Sequence, residues 1–473
     1  DGAVRRRGRS VVWAAALGFS AAVLASCARS GPPSVYANWQ GSRILLRTPY
    51  ERYTLPNGLE VVLSPDARLP IVALRLEYRV GSRDDPPQLD GFAHLFEHLM
   101  FQGSRHVAED MFFQHLERVG APYIQGETRI ENTVYSETVP SGQLELALWL
   151  ESDRMAFLLD HVNADTFETQ RRVVENELRE KLDNTPYGRV STFIEARLFP
   201  PGHPYHGRSL ATDGLKNASL EDVRVFWQTH YRPNNATLFV AGNFEAPEAR
   251  RQIDKYFGPI VAGRVLPSPP VSETPPPAPG SRLDIEAAVP LGMVIMTWLT
   301  PPFGEQADAE LDVIGDMLEQ GQLTWNLVEA EELATRVRAG QQSQKLASVF
   351  QISVTTRPGV DPGRVVRVID RAILRIRSSW QQPSFIRSMS FRTLVELALV
   401  HEEPTRRVSQ MAEDAFITGD PNFIEKNVAR YEAISAASLM QTANKYLGPE
   451  RRLLTVVTPV RGAPLAGRVA SSR

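Results

Sequence analysis

Cysteine occurs once in the 473 residues, at Cys27. That excludes an internal disulfide framework and a thiolate cage for zinc, so any metal this chain holds is held by His, Asp or Glu. An excess of charge of one sign is also missing. The 52 Lys and Arg against 55 Asp and Glu leave a formal net charge of -3, without the basic surplus that accompanies nucleic-acid binding. Histidine is scarce, at nine residues. The apolar run Val11 to Ala25, at 15 residues, is too short to span a bilayer comfortably. What is present is a 42% hydrophobic, 23% charged composition ordinary for globular protein. The length exceeds what one core usually supports and favours two large domains.

Arg5-Arg6-Arg7-Gly8-Arg9 places a cationic start before the apolar run, as in an export signal. The run ends in Leu24-Ala25-Ser26-Cys27, which resembles the lipobox of bacterial lipoproteins. That resemblance implies a lipoprotein-type signal peptide over residues 1–27, cut just before the cysteine, and a lipid on Cys27. Several acyl chains on one residue anchor stably where a single chain does not. A plain signal peptide followed by an incidental cysteine is the simpler alternative. Residues 28–48 read as a flexible tether. The expected location is the bacterial cell envelope, lipid-anchored on the periplasmic side of the outer membrane, with a secreted or periplasmic protein as the alternative.

From Thr54 to Leu63 the sequence reads as strand, turn, strand, and Ile71 to Val80 reads as a half-buried strand. Helices are expected at about 91–103, 109–119, 142–159 and 165–183, then a strand over Ala236–Gly242 and a helix ending near Phe257. Seven prolines between Gly263 and Arg282 make a stiff, extended connector. Beyond it, strands at Met293–Trp298 and Val349–Val354 and helices at 305–319, 362–378 and 434–446 resume. Two α+β halves of similar order suggest an internal duplication. The expected domains are 49–262, with a linker over 263–283, and 284–462, followed by a tail at 463–473.

Zinc in a hydrolytic site takes three protein ligands and leaves one position open. His94 and His98 are the only histidines four apart, so on a helix both face the same way and can reach one ion. Phe92, Leu95, Phe96 and Leu99 fall on the opposite face and can pack. Glu97 neighbours the pair and is placed to take a proton from water, as in the H-x-x-E-H motif. His203 and His206 flank Pro204 and read as loop residues. His106, His115, His161, His230 and His401 are isolated and read as structural or exposed. A third ligand should be an acid on another element, and Glu168, Glu175, Glu177 and Glu180 are on offer in one helix. At 100° per residue Glu177 falls between Val173 and Val174, while Glu175 lies with Arg172 and Arg179. Arg171 and Lys181 also project inward, so both Glu177 and Glu175 remain open, with Glu177 preferred.

With these residues in hand, the chain resembles the pitrilysin/insulinase family of zinc metallopeptidases, which includes mitochondrial processing peptidase. The stretch Gly91 to Gly103 is similar to that family's zinc helix, and Val173-Val174-Glu175-Asn176-Glu177 to the element with its third ligand. The resemblance places that ligand on Glu177, 79 positions after His98. Similar stretches at Tyr135–Pro140, Leu148–Met155, His203–Tyr205, Leu333–Asp361 and Gly419–Pro421 extend it over about residues 50–460. It implies one Zn2+ per chain, held by His94, His98 and Glu177, with Glu97 as general base. It also implies two homologous halves, each an antiparallel sheet packed with helices, enclosing a peptide-binding chamber. Only the first half would carry metal, and eight of the nine histidines lie there. Peptides would add as a strand to a sheet edge, with Gln125 and Tyr135 as substrate-binding residues.

The chain departs from the family pattern in places. Gln125 stands where members often have asparagine, and Gln170 where some have a second glutamate. Val328 and Thr335 occupy the positions of an arginine and a tyrosine that steady the substrate carbonyl, and the glycine-rich loop before them is reduced to Glu319-Gln320-Gly321-Gln322. Missing donors of that kind can cost orders of magnitude in rate. The expectation is therefore a zinc endopeptidase for short or unfolded peptides outside the cytoplasm, supplying the zinc half of a hetero-oligomer. The rival reading is an anchored scaffold or binding subunit with little activity.

Overall fold

A computed structural model describes residues 48–470 apart from 87, 207–213, 267–276, 279 and 380–381. Cys27, the signal segment, nearly all of the tether and much of the proline-rich connector lie outside the described residues. In the first half the strands are β1 Glu51–Thr54, β2 Glu60–Pro65, β3 Ile71–Tyr78, β4 Tyr123–Thr128, β5 Thr133–Pro140 and β6 Ala236–Gly242. Its helices are α1 Phe92–Leu99, α2 Met111–Arg118, α3 Leu144–Phe157, α4 Ala164–Leu178, α5 Val190–Leu198, α6 Leu220–His230 and α7 Ala246–Phe257. The second half contains β7 Arg282–Ala287, β8 Met293–Thr300, β9 Ala334–Gln342, β10 Ser348–Thr356, β11 Arg452–Pro459 and β12 Arg468–Val469. Its helices are α8 Gln306–Asp316, α9 Pro362–Ser378, α10 Pro383–Val400, α11 Pro404–Thr418, α12 Ile424–Glu432 and α13 Ala436–Tyr446.

The duplication shows in the strand order. One sheet runs β1-β2-β6-β3-β5-β4 and the other β12-β7-β11-β8-β10-β9. Without the outermost β1 and β12 the two orders correspond strand for strand, and in each the helix α1 or α8 connects the third-placed strand to the edge. The sheets are mixed rather than purely antiparallel as expected. The β2–β6 and β7–β11 pairs are parallel, because a long helical excursion separates their partners in sequence and returns the chain in the same direction.

The strand β3, expected to be half-buried, is covered on both faces. Val72, Leu74, Leu76 and Tyr78 point into the core under the helices of the first half. Its other face meets the second half: Ala73, with Val62, Phe239 and Ala241, packs against Val408, Met411 and Ala412 of α11. The exchange is reciprocal. Val190, Ile194 and Leu198 of α5 pack with Leu283, Ile285, Ile295 and Leu453 of the second sheet. Each half thus lends one helix to cover the sheet of the other.

Candidate metal centre

The helix α1 begins at Gly91, whose φ of 86° favours glycine. The Asp85 carboxylate accepts hydrogen bonds from the Gly91 and Ala93 amides, each 2.7 Å, so an acid meets the positive end of the helix. Phe92, Ala93, Leu95, Phe96 and Leu99 are buried. Phe96 stacks against Tyr231 at 4.1 Å between ring centroids and Phe92 meets Phe226 edge-on at 5.1 Å. The apolar side is pinned, and His94 and His98 face α4.

There they meet Glu177. His94 Nε2 lies 3.8 Å from Glu177 Oε1 and His98 Nε2 lies 3.3 Å from Oε2. One ligand atom from each of the three residues falls within 4.8 Å of the others. Glu175, the competing acid, points elsewhere and pairs with Arg171 at 2.5 Å. Burial lowers His94 to about 4, and the neighbouring His98 adds to the effect against the pull of Glu177. Burial also lowers His98, opposed by Glu177 and a hydrogen bond that the ring donates to Gln170. Both imidazoles are therefore neutral near pH 7, with nitrogen lone pairs able to bind a cation. Two neutral nitrogens and a carboxylate oxygen at such spacings fit a zinc ion. The Lys181 ammonium ion-pairs with Glu177, and the buried Nδ1 of His94 has no hydrogen-bond partner.

Glu97 is 8% exposed beside this set. Burial raises its carboxyl to about 7, with Glu177 and Glu127 pushing the same way and a hydrogen bond from Thr128 opposing. The edge strand β4 passes close by. A Cβ on Gly126 would come within 2.8 Å of both Glu97 Oε1 and Phe101 Cε2.

Gln125, the next residue along β4, is exposed. It alternates with Gly126, so its side chain lies on the pleat away from Glu97, where it accepts a hydrogen bond from Tyr123. Tyr135 differs from the expectation. It is fully buried, its ring 4.2 Å from the Arg154 guanidinium and edge-on to Tyr78, and it presents nothing to a peptide. The physical reason is strand parity. On β5, Tyr135 points into the helical core of the first half, beneath the site.

Sequence reasoning missed what surrounds it there. Arg154, 2% exposed, is sandwiched among Phe112, Tyr135 and Phe101 rings at 4.4, 4.2 and 5.0 Å. It ion-pairs with Glu151, with Nε donating at 3.0 Å. Burial and the Glu151 carboxylate push the neighbouring Glu137 well above the usual range. The stretches Tyr135–Pro140 and Leu148–Met155 stood out in the sequence, but as separate segments. The remaining histidines behave as read: His203 Nδ1 accepts from the Tyr205 amide at 3.0 Å, and His206 Nδ1 donates to Phe199 O at 2.7 Å. In the second half, α8 takes the topological place of α1 but has no histidine. Its Asp308 pairs with Arg430 at 2.7 Å and its Asp312 accepts from the Tyr431 hydroxyl at 2.6 Å.

Two family models match the chain, one described as insulinase (peptidase family M16) over residues 60–198 and one as the peptidase M16 inactive domain over residues 217–388. A relative named zinc protease PqqE from Helicobacter pylori is 24% identical over 408 residues, spanning 84% of this chain and 90% of that protein. A probable mitochondrial-processing peptidase subunit beta from Arabidopsis thaliana is 21% identical, spanning 89% of this chain and 80% of that one. The crystal structure of a protease from Helicobacter pylori superposes with a TM-score of 0.80 at 22% identity, covering 87% of this chain and all of the other. Between them the two models take in well over half of the residues, the first within the first half of the fold and the second running from α6 of the first half into α10 of the second, and the chain belongs to the peptidase M16 family.

Proposed function

We propose that this chain is a zinc-dependent endopeptidase acting on short or unfolded peptides. The observation that carries the reading is the convergence of His94, His98 and Glu177 within 4.8 Å beside the buried Glu97. His94 and His98 would hold one ion through Nε2 and Glu177 through its carboxylate. The bound ion supplies Lewis acidity, polarising the scissile carbonyl and acidifying water. Glu97, raised to about 7 by burial, takes the proton of the attacking water and then delivers it to the leaving amine. A peptide laid along the free edge of β4 would be held by backbone hydrogen bonds that tolerate many sequences, with Gln125 as a polar contact. Glu177→Ala is expected to lose stoichiometric zinc by elemental analysis. Glu97→Gln should keep zinc yet lose cleavage by about 10²–10⁴-fold. Purified protein that binds no zinc at neutral pH overturns the reading.

The second reading, a weakly active partner or scaffold subunit, is favoured by the second half. Val328 packs against the core there, and the Thr335 hydroxyl donates to Thr355 O at 3.4 Å, so neither presents a donor of the reach of arginine or tyrosine. We infer a hetero-oligomer with a homologous subunit that supplies those donors. Full activity from the purified chain alone excludes it; cleavage that appears only with an adjacent gene's product supports it. Placement in the cell envelope, with a lipid on Cys27, rests on the signal-like segment alone. Loss of membrane fractionation on Cys27→Ser would support it.

A further inference from the structure

A cavity of about 400 Å³ opens on the first half between α3, the end of α7 and the loop after α1. It is apart from the metal centre, and its walls are mainly apolar: Trp149, Phe157, Tyr256 and Ile260. Most of its polar groups are already engaged with one another. Ser152 donates to Trp149 O at 2.8 Å. The Lys255 ammonium and the Tyr256 hydroxyl both reach Glu145, at 2.9 and 2.8 Å. Asp153, 3% exposed, accepts from the Ser104 hydroxyl, from the His106 amide at 3.2 Å and from His106 Nδ1 at 2.5 Å.

Two groups on the wall remain. Arg232 lies with its guanidinium 3.8 Å over the Trp227 ring, and its Nε makes a long donation to Gln228 O at 3.4 Å. Among the described residues no carboxylate acts on it: burial lowers its pKa, and Tyr78 is the group that opposes. A half-buried guanidinium without a carboxylate partner can take one in a two-pronged hydrogen bond through its terminal nitrogens. His106 also lines the cavity, its ring fixed by Asp153 and therefore pre-organised.

We propose that this cavity binds a small monocarboxylate with an apolar tail, the carboxylate on Arg232 beside His106 and the tail against Trp149, Phe157 and Ile260. Charge complementarity selects the anion, since the one acid lining the cavity, Asp153, is buried and satisfied from within. An apolar carboxylate has two natural sources, a free fatty acid and the C-terminus of a peptide ending in an apolar residue. Neither depends on the metal centre being active.

The test is isothermal titration of the full zinc-loaded chain with octanoate, with N-acetylphenylalanine, with the amide of each, and with inorganic phosphate. Saturable binding of at least one carboxylate, with its amide and phosphate binding at least about tenfold more weakly, is expected. Octanoate alone identifies a fatty-acid site and N-acetylphenylalanine alone a peptide C-terminus; either outcome supports the proposal. Arg232→Gln should weaken binding about tenfold and Arg232→Lys less, because lysine keeps the charge without the fork. Val261→Glu, at a rim residue 75% exposed where the fold tolerates change, should repel the anion without touching Arg232. No saturable binding of either carboxylate, equal binding of an amide, or affinity unchanged by both Arg232→Gln and Val261→Glu overturns the proposal.

Discussion

The carboxyl of Asp414 sits 2% exposed on α11, with Oδ1 accepting from Gln410 at 2.9 Å and Oδ2 lacking a partner. Burial raises it to about 7, with Glu413 and Asp420 adding to the rise against the Gln410 hydrogen bond. The unfolded carboxyl ionises near 4, so the folded chain holds a proton that the unfolded chain releases above that pH. Stability from this group is complete below about 4 and falls as pH rises toward 7. Asp414→Asn removes the titration, and denaturant unfolding should show a gain of about 2 kcal/mol at pH 8 that vanishes near pH 4. Glu97 is raised to about 7 by the same cause, yet it lies beside a ligand set, and that neighbourhood separates a candidate base from a buried liability. At this scale the sequence was informative where a short helical spacing decides position. His94, Glu97 and His98 needed one turn of helix; the projection of α4 preferred Glu177 without excluding Glu175, and it also turned Lys181 inward, where it pairs with Glu177. Tyr135 was beyond reach because a strand covered on both faces loses the polar alternation that reveals which way a side chain points.

Between elements, the approach of β4 to α1 sets the geometry of the site. Gly126 allows the strand to lie against Glu97 and Phe101, where a Cβ would stand 2.8 Å from each. Gly126→Val adds three carbons to that contact and should swing the Glu97 carboxyl away while leaving His94, His98 and Glu177 in place. The expected result is a zinc content like that of the parent with peptide cleavage reduced at least about 10²-fold; zinc loss in step with activity would mean that α1 itself had moved. The segment after α4 is a second case. The helical pattern reads continuously to 183, but a wide π-type turn replaces the α-helix over Arg179–Asp183, beginning two residues after Glu177. Such turns recur at functional sites, and this one carries Lys181. A second wide turn, Met317–Leu323, follows α8, at a different place in the duplicated order, and hydrophobic periodicity encodes neither.

Over the whole molecule, the proline-rich connector divides the sequence but the exchange of α5 and α11 unites the structure. Periodicity announces that a helix has an apolar face; it does not say whose sheet that face will cover, and this is why the duplication was legible and the interlock was not. The exchanged α11 brings a charge with it. Arg407 Nη2 meets Asp66 Oδ2 at 2.6 Å, the side chains 4% and 6% exposed, and Arg407 Nε donates to His401 O at 2.8 Å. Burial alone would raise Asp66, but hydrogen bonds from Arg68 and Arg407 outweigh it and bring the carboxyl to about 2. A carboxyl depressed below its unfolded value of about 4 stabilises the fold above that pH and ceases to do so as pH falls toward 2. Removing one member of a buried pair leaves the other uncompensated, a loss of about 3 kcal/mol when no other partner exists. Arg68 remains on Asp66, so Arg407→Met should cost somewhat less, about 2 kcal/mol at pH 7. The loss should shrink toward zero between pH 4 and 2 as Asp66 takes up a proton in both proteins. Because the pair joins α11 to the first sheet, calorimetry of Arg407→Met should also resolve two transitions where the parent shows one. A single transition at unchanged stability would mean that the apolar contacts of Val408, Met411 and Ala412 hold the halves together without it.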